Sequence, residues 1–212
     1  MTLRRWLALC GVGTVLLFAV AFFSTSTPDD SASAAKVVSY YRDHRGAANV
    51  GNLAELIAGV LLVLFAVRLR EFLGSDQPDG GLLPNVAFGG ALILSAGFLL
   101  DAGVSFALVR SARQGFTGSA QTLNMVANDS VFVVTGGAAI LLLGAGIATV
   151  RRPALPRWLG WFAVVIGVLA LPGPFGVFAA VAAMIWLLVV AILIFRRKDE
   201  VPVGGAEVSA AT

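Results

Sequence analysis

The sequence predicts an all-α integral membrane protein, a bundle of six transmembrane helices with a short amphipathic helix on the outer side. Apolar residues make up 58% of the 212 residues and charged residues only 13%, whereas soluble domains average ~45–50% (with glycine) and ~25%. A chain with so few charges cannot cover a water-exposed surface, so lipid must cover much of it. Five hydrophobic blocks and the distribution of the basic residues then set the number of spans.

The length of each hydrophobic block gives the span count. A helix needs ~20 mostly apolar residues to cross ~30 Å of hydrocarbon. Four blocks fit one crossing each, but the fifth, residues 158–195, is too long, and Pro172-Gly173-Pro174 interrupts it. Proline ends a helix by removing a backbone donor and by steric clash. The predicted spans are 6–23, 51–67, 86–109, 126–150, 158–171 and 175–195, in a single transmembrane domain of residues 1–198.

The basic residues predict the orientation. With six spans and the N-terminus inside, ten Lys and Arg residues lie on the cytoplasmic side and five on the outer side, which follows the positive-inside rule. Both termini are then cytoplasmic, and the polar tail 199–212 is predicted to be disordered. Arg outnumbers Lys 13 to 2, which is typical of a GC-rich bacterial genome, so we expect a bacterial cytoplasmic membrane.

The first span has two interpretations. Its basic start, its apolar run and the Ala19-Val20-Ala21 triplet also fit a cleaved signal peptide. The apolar run continues through Phe22 and Phe23 beyond that triplet, which favours an uncleaved anchor. Cleavage would leave five spans with the same topology for the rest of the chain.

The outer connection, residues 24–50, predicts an amphipathic helix. Thr27-Pro28-Asp29-Asp30 has a hydroxyl cap, a proline and two acids, as at a helix start. Apolar residues then recur at helical spacing, at Ala34, Val37, Val38 and Tyr41. We expect this helix to lie on the outer interface or to cap the bundle; an ordinary surface helix packed on loops is the alternative.

Three acidic residues, Glu55, Asp101 and Asp129, fall in the outer half of predicted spans. A charge at such a depth costs at least ~2.5–3.5 kcal/mol, so these residues should face the bundle interior and have partners. Other polar residues lie on or beside the same helical faces. The sequence therefore predicts a ligand or ion site on spans two, three and four, with the members Asn52, Glu55, Asp101, Ser105, Asn128 and Asp129.

Two explanations of these acids stay open. A water-accessible acidic cavity would bind a cation, a proton or a basic ligand. Alternatively, the acids only join helices through ion pairs and hydrogen bonds, and Asp129 is an interface residue stabilised by the dipole at a helix start. The expected ion pairs are Glu55 with Arg42, His44 or Arg45, and Asp101 with Arg110 or Arg113.

The sequence argues against an enzyme, a cofactor and a metal site. His44 is the only histidine and Cys10 the only cysteine, whereas haem and zinc need several such ligands. No lysine lies in a predicted span, which excludes a retinal Schiff base, and no nucleotide, serine-hydrolase or zinc-protease motif is present. The composition also excludes a nucleic-acid partner.

Two stretches carry a resemblance to known proteins. One is Pro28–Leu73, and the other is Leu155–Pro174, which contains the element P-R-W-L-G-W after a basic loop. The chain resembles uncharacterised small membrane proteins of high-GC Gram-positive bacteria, which have about six helices. The resemblance implies a fold and a location, and it brings no catalytic residue.

Two functions remain. The favoured one is an accessory protein of the cytoplasmic membrane, which binds another membrane protein or a second copy through small-residue pairs such as Gly103/Ala107 and Gly144/Ala148. The alternative is a small transporter or an ion- or proton-coupled binding protein with an acidic outward-facing cavity. Transporters often have broken helices in both halves, and here the only break, at Pro172–Pro174, lies at a turn.

Overall fold

The computed structural model describes residues 3–24, 26–75, 81–152, 155–171 and 176–197, except for the side chains of Gly176 and Val177. Helix makes up 89% of this part of the chain, which contains no strand. Its helices are α1 (Leu3–Ser24), α2 (Ala34–Asp43), α3 (Arg45–Gly74), α4 (Leu82–Gln114), α5 (Thr117–Asp129), α6 (Val131–Arg151), α7 (Arg157–Leu169) and α8 (Gly176–Arg196).

Five helical segments are long and apolar enough to cross a membrane, so the protein is membrane-embedded. They are α1, α3, α4, the combined α5–α6 segment and α8. The 13-residue α7 is also apolar but spans only ~20 Å at 1.5 Å per residue, so the sixth span stays a prediction. The expected turn at Pro172-Gly173-Pro174 and the tail 199–212 lie outside the described residues.

The helices form a closed ring. α3 packs between α1 and α4, α4 packs on α6, and α6 packs on α7. α8 completes the ring because it contacts α1, α6 and α7. The core is apolar and is built from Phe65, Phe98, Trp186 and many Leu and Ala side chains, as expected where small residues let helices approach closely.

Glycines bring α4 and α6 into backbone contact. A Cβ atom at Gly144 would lie 2.6 Å from the backbone nitrogen of Ala87. Gly90 and Gly137 meet the backbone of Leu141 and of Leu94 even more closely. No larger residue fits at these three positions, so we call them the glycine seam.

The fourth predicted span differs from expectation. The sequence predicts a loop at residues 111–121 and a single helix over 126–150. Instead, α4 continues to Gln114, α5 begins at Thr117, and the helix is interrupted at Ser130. Ser130 keeps a helical backbone conformation, so α5 and α6 follow each other closely.

The amphipathic helix is present as α2, but it begins later than predicted. Its N-cap is Ser33, whose hydroxyl accepts a hydrogen bond from the Lys36 backbone N–H at 3.4 Å, so Thr27 is not the cap. The apolar face of α2 is buried against α4 and α5, and α2 therefore caps one end of the bundle. We call this end the α2 end.

Candidate functional site

A cavity of about 480 Å³ lies at the α2 end, between α1, α3 and α4. It is lined by Phe18, Ala21 and Phe22 of α1, Ser26 and Thr27 of the connection, Tyr41 of α2, Gly51, Asn52 and Glu55 of α3, and Asp101 and Ser105 of α4. The lining thus combines carboxyl groups, neutral polar groups and aromatic rings. This is the composition of sites that hold a polar small molecule.

The carboxyl groups of Glu55 on α3 and Asp101 on α4 line the same cavity and are close enough to interact electrostatically. α3 and α4 pack tightly one turn further into the bundle, where the Ser95 hydroxyl donates to the Gly59 carbonyl oxygen at 2.7 Å. This contact fixes the separation of the two helices and so keeps the carboxyl groups together. Neither carboxyl has a basic side chain within ion-pair distance in the described part of the chain.

Ser130 connects Asp101 to the α5–α6 junction. Its hydroxyl oxygen lies 2.6 Å from the Asp101 Oδ1 atom and 2.6 Å from the carbonyl oxygen of Ala127. One hydroxyl has a single proton, so Ser130 donates to one of these oxygens at a time. When Asp101 carries a proton, Ser130 can accept that proton in a hydrogen bond while it donates to Ala127.

Tyr41 covers the cavity from α2. Its side chain is only 4% exposed, and this burial raises the pKa of Tyr41 to about 12, with the charges of Tyr40 and Asp101 adding to the effect and a hydrogen bond with Thr27 opposing it. At neutral pH the phenol is therefore uncharged. It offers the cavity a hydroxyl group and an aromatic ring.

Two asparagines of α5 hold the connection over the cavity. The side-chain amides of Asn124 and Asn128 each donate to the Pro28 carbonyl oxygen at 3.1 Å. Asn128 also donates to the Asp30 carboxylate at 2.7 Å. These bonds anchor the segment next to Ser26 and Thr27, which line the cavity.

The structure brings together four of the six predicted site residues: Asn52, Glu55, Asp101 and Ser105. Asn128 lies outside the cavity and anchors the connection. Asp129 is exposed at the C-terminal end of α5, so the expected convergence of three carboxylates is wrong. Asp129 directly precedes Ser130, the N-cap of α6, so its alternative interpretation as a residue near a helix start stays a prediction. Successive helical residues differ by about 100° in direction, and here Ser130, not Asp129, faces inward.

The expected ion pairs are absent from the described residues. The Arg42 Nε atom donates to the Ala112 carbonyl oxygen at 3.0 Å and so satisfies the C-terminal end of α4. The His44 ring lies 3.0 Å from the Tyr40 carbonyl oxygen. Arg45, Arg110 and Arg113 are exposed.

The contribution of α1 and of the connection to the cavity was not predicted from the sequence. No sequence pattern marks Phe18 and Phe22 as cavity residues, because phenylalanine is common throughout transmembrane helices. In the sequence, Tyr41 differs from the other residues of the apolar face of α2 only by its hydroxyl group. Ser130 was missed because the neighbouring charged residue, Asp129, was expected to face the cavity instead.

The cavity ends in the apolar core. The rings of Phe18 and Phe98 stack with their centroids 5.3 Å apart, and Phe98 lies one turn from Asp101 towards the core. Phe65, Leu62 and Leu94 continue this core. The cavity is therefore a pocket in one end of the bundle.

The described residues hold no cluster of three or more His, Cys, Asp or Glu side chains that would suit a metal ion. Comparisons of the chain with protein-family models, with curated proteins and with solved structures give no match.

Proposed function

We propose that this chain is a multi-pass protein of the bacterial cytoplasmic membrane that binds a cation in its acidic cavity, in exchange for a proton held by the Glu55–Asp101 pair. The proximity of these two carboxyl groups, without a basic partner, carries the proposal. Two carboxylates that share one partly buried cavity repel each other, so the pair needs a proton or a cation. A cation that enters the pair would release the proton to water.

Among the described residues, the Glu55–Asp101 pair sets the charge of the cavity. The titratable groups that line the cavity are Glu55 of α3, Asp101 of α4 and Tyr41 of α2, and α1 contributes none. Tyr41 is uncharged at neutral pH because its pKa is about 12. Loss of the proton from the pair therefore makes the cavity negative, which attracts a cation.

We infer that the cavity faces the outside of the cell. The end of the bundle opposite α2 has most of the basic residues, among them Arg4, Arg5, Arg68, Arg70, Arg151, Arg152 and Arg196. The positive-inside rule assigns this end to the cytoplasm. Both termini are then cytoplasmic if α7 and α8 both cross the membrane, as six spans require.

Phe18 and Phe98 form an apolar floor of the cavity, which favours a cation-binding site over an ion-conducting pore. A pore needs a polar path through the bundle, but Phe18 and Phe98 separate the cavity from the apolar core. We therefore favour a binding protein coupled to protonation. Transport would need a conformational change that moves this floor.

Proton release tests the proposal. The full-length protein in a weakly buffered detergent solution is mixed with Na⁺, K⁺ or an organic ammonium salt, and a pH indicator records the protons released. We expect at least one cation to release up to one proton per chain, and Glu55→Gln and Asp101→Asn to abolish the release. Asp129→Asn is the matched control, because this exposed acid lies outside the cavity. Equal release by all four proteins, or none by any, refutes the function.

The accessory role is the second candidate, and one observation favours it. Gly103 and Ala107 are both exposed on α4, and nothing lies within 4 Å of a Cβ atom placed on Gly103. Such an unpaired small-residue face can hold another transmembrane helix. If it does, Gly103→Leu reduces the size of the assembly measured by light scattering, and Gly89→Leu, at another open position of α4, does not.

The resemblance to proteins of high-GC Gram-positive bacteria supports only the location. It rests on Pro28–Leu73 and Leu155–Pro174. The first stretch includes Tyr41, Asn52 and Glu55, so the proposed site lies largely in the region that carries the resemblance.

A further inference from the structure

We infer that the cavity binds a small organic ammonium ion that has a hydrogen-bond acceptor close to its charged nitrogen. This inference rests on the proposed cation-binding function and names its ligand class. It depends on three features of the cavity: the carboxyl pair, an unsatisfied amide donor and the aromatic walls.

The amide donor belongs to Asn52. The Asn52 side chain lines the cavity one turn from Glu55 and is only 8% exposed. Its Nδ2 atom is buried and has no hydrogen-bond partner among the described residues. Buried donors in proteins are almost always paired, because an unpaired donor loses its bonds to water without replacement. A ligand that offers an acceptor oxygen to Asn52 would supply this bond.

The aromatic walls favour an organic cation over a metal ion. Phe18, Phe22 and Tyr41 line the cavity from α1 and α2, whereas the carboxyl groups come from α3 and α4. Aromatic faces attract ammonium groups within about 6 Å, as in binding sites for choline and methylated lysine. A volume of about 480 Å³ also fits a small molecule, whereas a metal ion needs a close cage of oxygen atoms.

Each functional group of the ligand then has a binding partner in the cavity. The ammonium group lies between the carboxyl pair and the aromatic rings, and takes the place of the proton that the pair releases. The acceptor oxygen, two or three bonds away, accepts from Asn52. Amino alcohols have this chemistry, and so does the headgroup of phosphatidylethanolamine, which a cavity at the end of a transmembrane bundle can also reach.

Calorimetry on the full-length protein in detergent tests the inference with a matched pair of ligands. Ethanolamine and ethylammonium have the same charge and similar size, but only ethanolamine has an acceptor oxygen. We expect ethanolamine to bind the wild-type protein about tenfold more tightly, the effect of one well-formed hydrogen bond. Equal affinities for the two ligands would overturn the inference.

Variants assign the effect to the named side chains. Asn52→Leu should remove the tenfold difference, whereas Asn49→Leu, at an exposed position of α3, should keep it. Phe22→Leu should weaken both ammonium ligands several-fold, whereas Phe23→Leu should not, because Phe23 is 82% exposed and outside the cavity. A persistent difference in folded Asn52→Leu protein would refute the role of Asn52. If this variant does not fold, the ligand pair on wild-type protein still decides.

The outcomes separate this inference from the proposed function. If Na⁺ releases the proton of the carboxyl pair but ethanolamine and ethylammonium bind equally, the ligand class is wrong and the function stands. If no cation releases that proton, both are wrong. Measurements in lipid nanodiscs distinguish the two sources of the ammonium ligand. Weaker ethanolamine binding in nanodiscs of phosphatidylethanolamine than in nanodiscs of phosphatidylglycerol indicates that the natural ligand is a lipid headgroup. Equal binding in the two indicates a soluble amine.

Discussion

Tyr41 gives the cavity a spectroscopic probe, because the chain contains only two tyrosines. In the Tyr40→Phe variant, Tyr41 is the one remaining phenol, and its ionisation can be followed by absorbance at 295 nm. We expect a midpoint well above the ordinary value of 10, towards the pKa of about 12 that burial produces. A midpoint at 10 would mean that Tyr41 is in contact with water.

The same shift predicts how stability depends on alkaline pH. The folded state holds the Tyr41 proton more tightly than the unfolded state does, because the folded pKa is the higher one. Its contribution is therefore complete below pH 10 and is lost as the pH rises towards 12. Tyr41→Phe, which removes the ionisable group, should make unfolding less sensitive to pH in this window.

Residue types and helical periodicity were enough to predict part of the site. Asn52 and Glu55 share one face of α3, and Asp101 and Ser105 share one face of α4, so their convergence follows from 3.6-residue spacing and the cost of lipid-exposed charge. The inward direction of Asp129 was mispredicted because the rotation of α5 about its axis depends on packing against its neighbours, and Ser130, the next residue, is the one that reaches Asp101. The unsatisfied amide of Asn52 is a property of three-dimensional packing, and no sequence pattern indicates it.

At the scale of helices, neighbouring glycines provide matched tests of the glycine seam. Gly90 and Gly137 touch backbone atoms across α4 and α6, whereas nothing lies within 4 Å of a Cβ atom on Gly89 or Gly136. We expect Gly90→Ala and Gly137→Ala to lower the free energy of unfolding by about 1–3 kcal/mol or more through overpacking. Gly89→Ala and Gly136→Ala should change it by less than about 1 kcal/mol. Denaturation in detergent measures all four.

The helices could be predicted well in their interiors and poorly at their ends. Five of the predicted spans coincide with long apolar helices, because hydropathy over about 20 residues reports burial in lipid. The extensions of α3 and α4 beyond the apolar blocks, and the helical segment α5, were missed because polar residues continue these helices outside the hydrophobic window. The start of α2 was misplaced because both Thr27 and Ser33 can serve as caps, and in the structure the helix begins after Ser33.

At the scale of the whole molecule, the orientation can be tested by cysteine labelling. Cys10 is the only cysteine, so Cys10→Ala gives a cysteine-free background. We expect a membrane-impermeant maleimide, added to intact cells, to label Ser26→Cys at the α2 end and not Ser75→Cys at the opposite end. Labelling of Ser75→Cys alone would reverse the orientation and place the cavity in the cytoplasm.

The glycine seam also limits where the protein can deform. The backbones of α4 and α6 are in contact at the glycine seam, so these two helices form a rigid pair, and Asp101 lies on α4. α1, by contrast, is only 17% buried over its apolar window, against 39–61% for the other candidate spans, and it forms the aromatic side of the cavity. Entry of a bulky ligand should therefore tilt α1 outward into the surrounding lipid, while α4 and α6 keep their positions. Bilayer thickness and lateral pressure, which act directly on a helix so largely exposed to lipid, would then tune the affinity of the site.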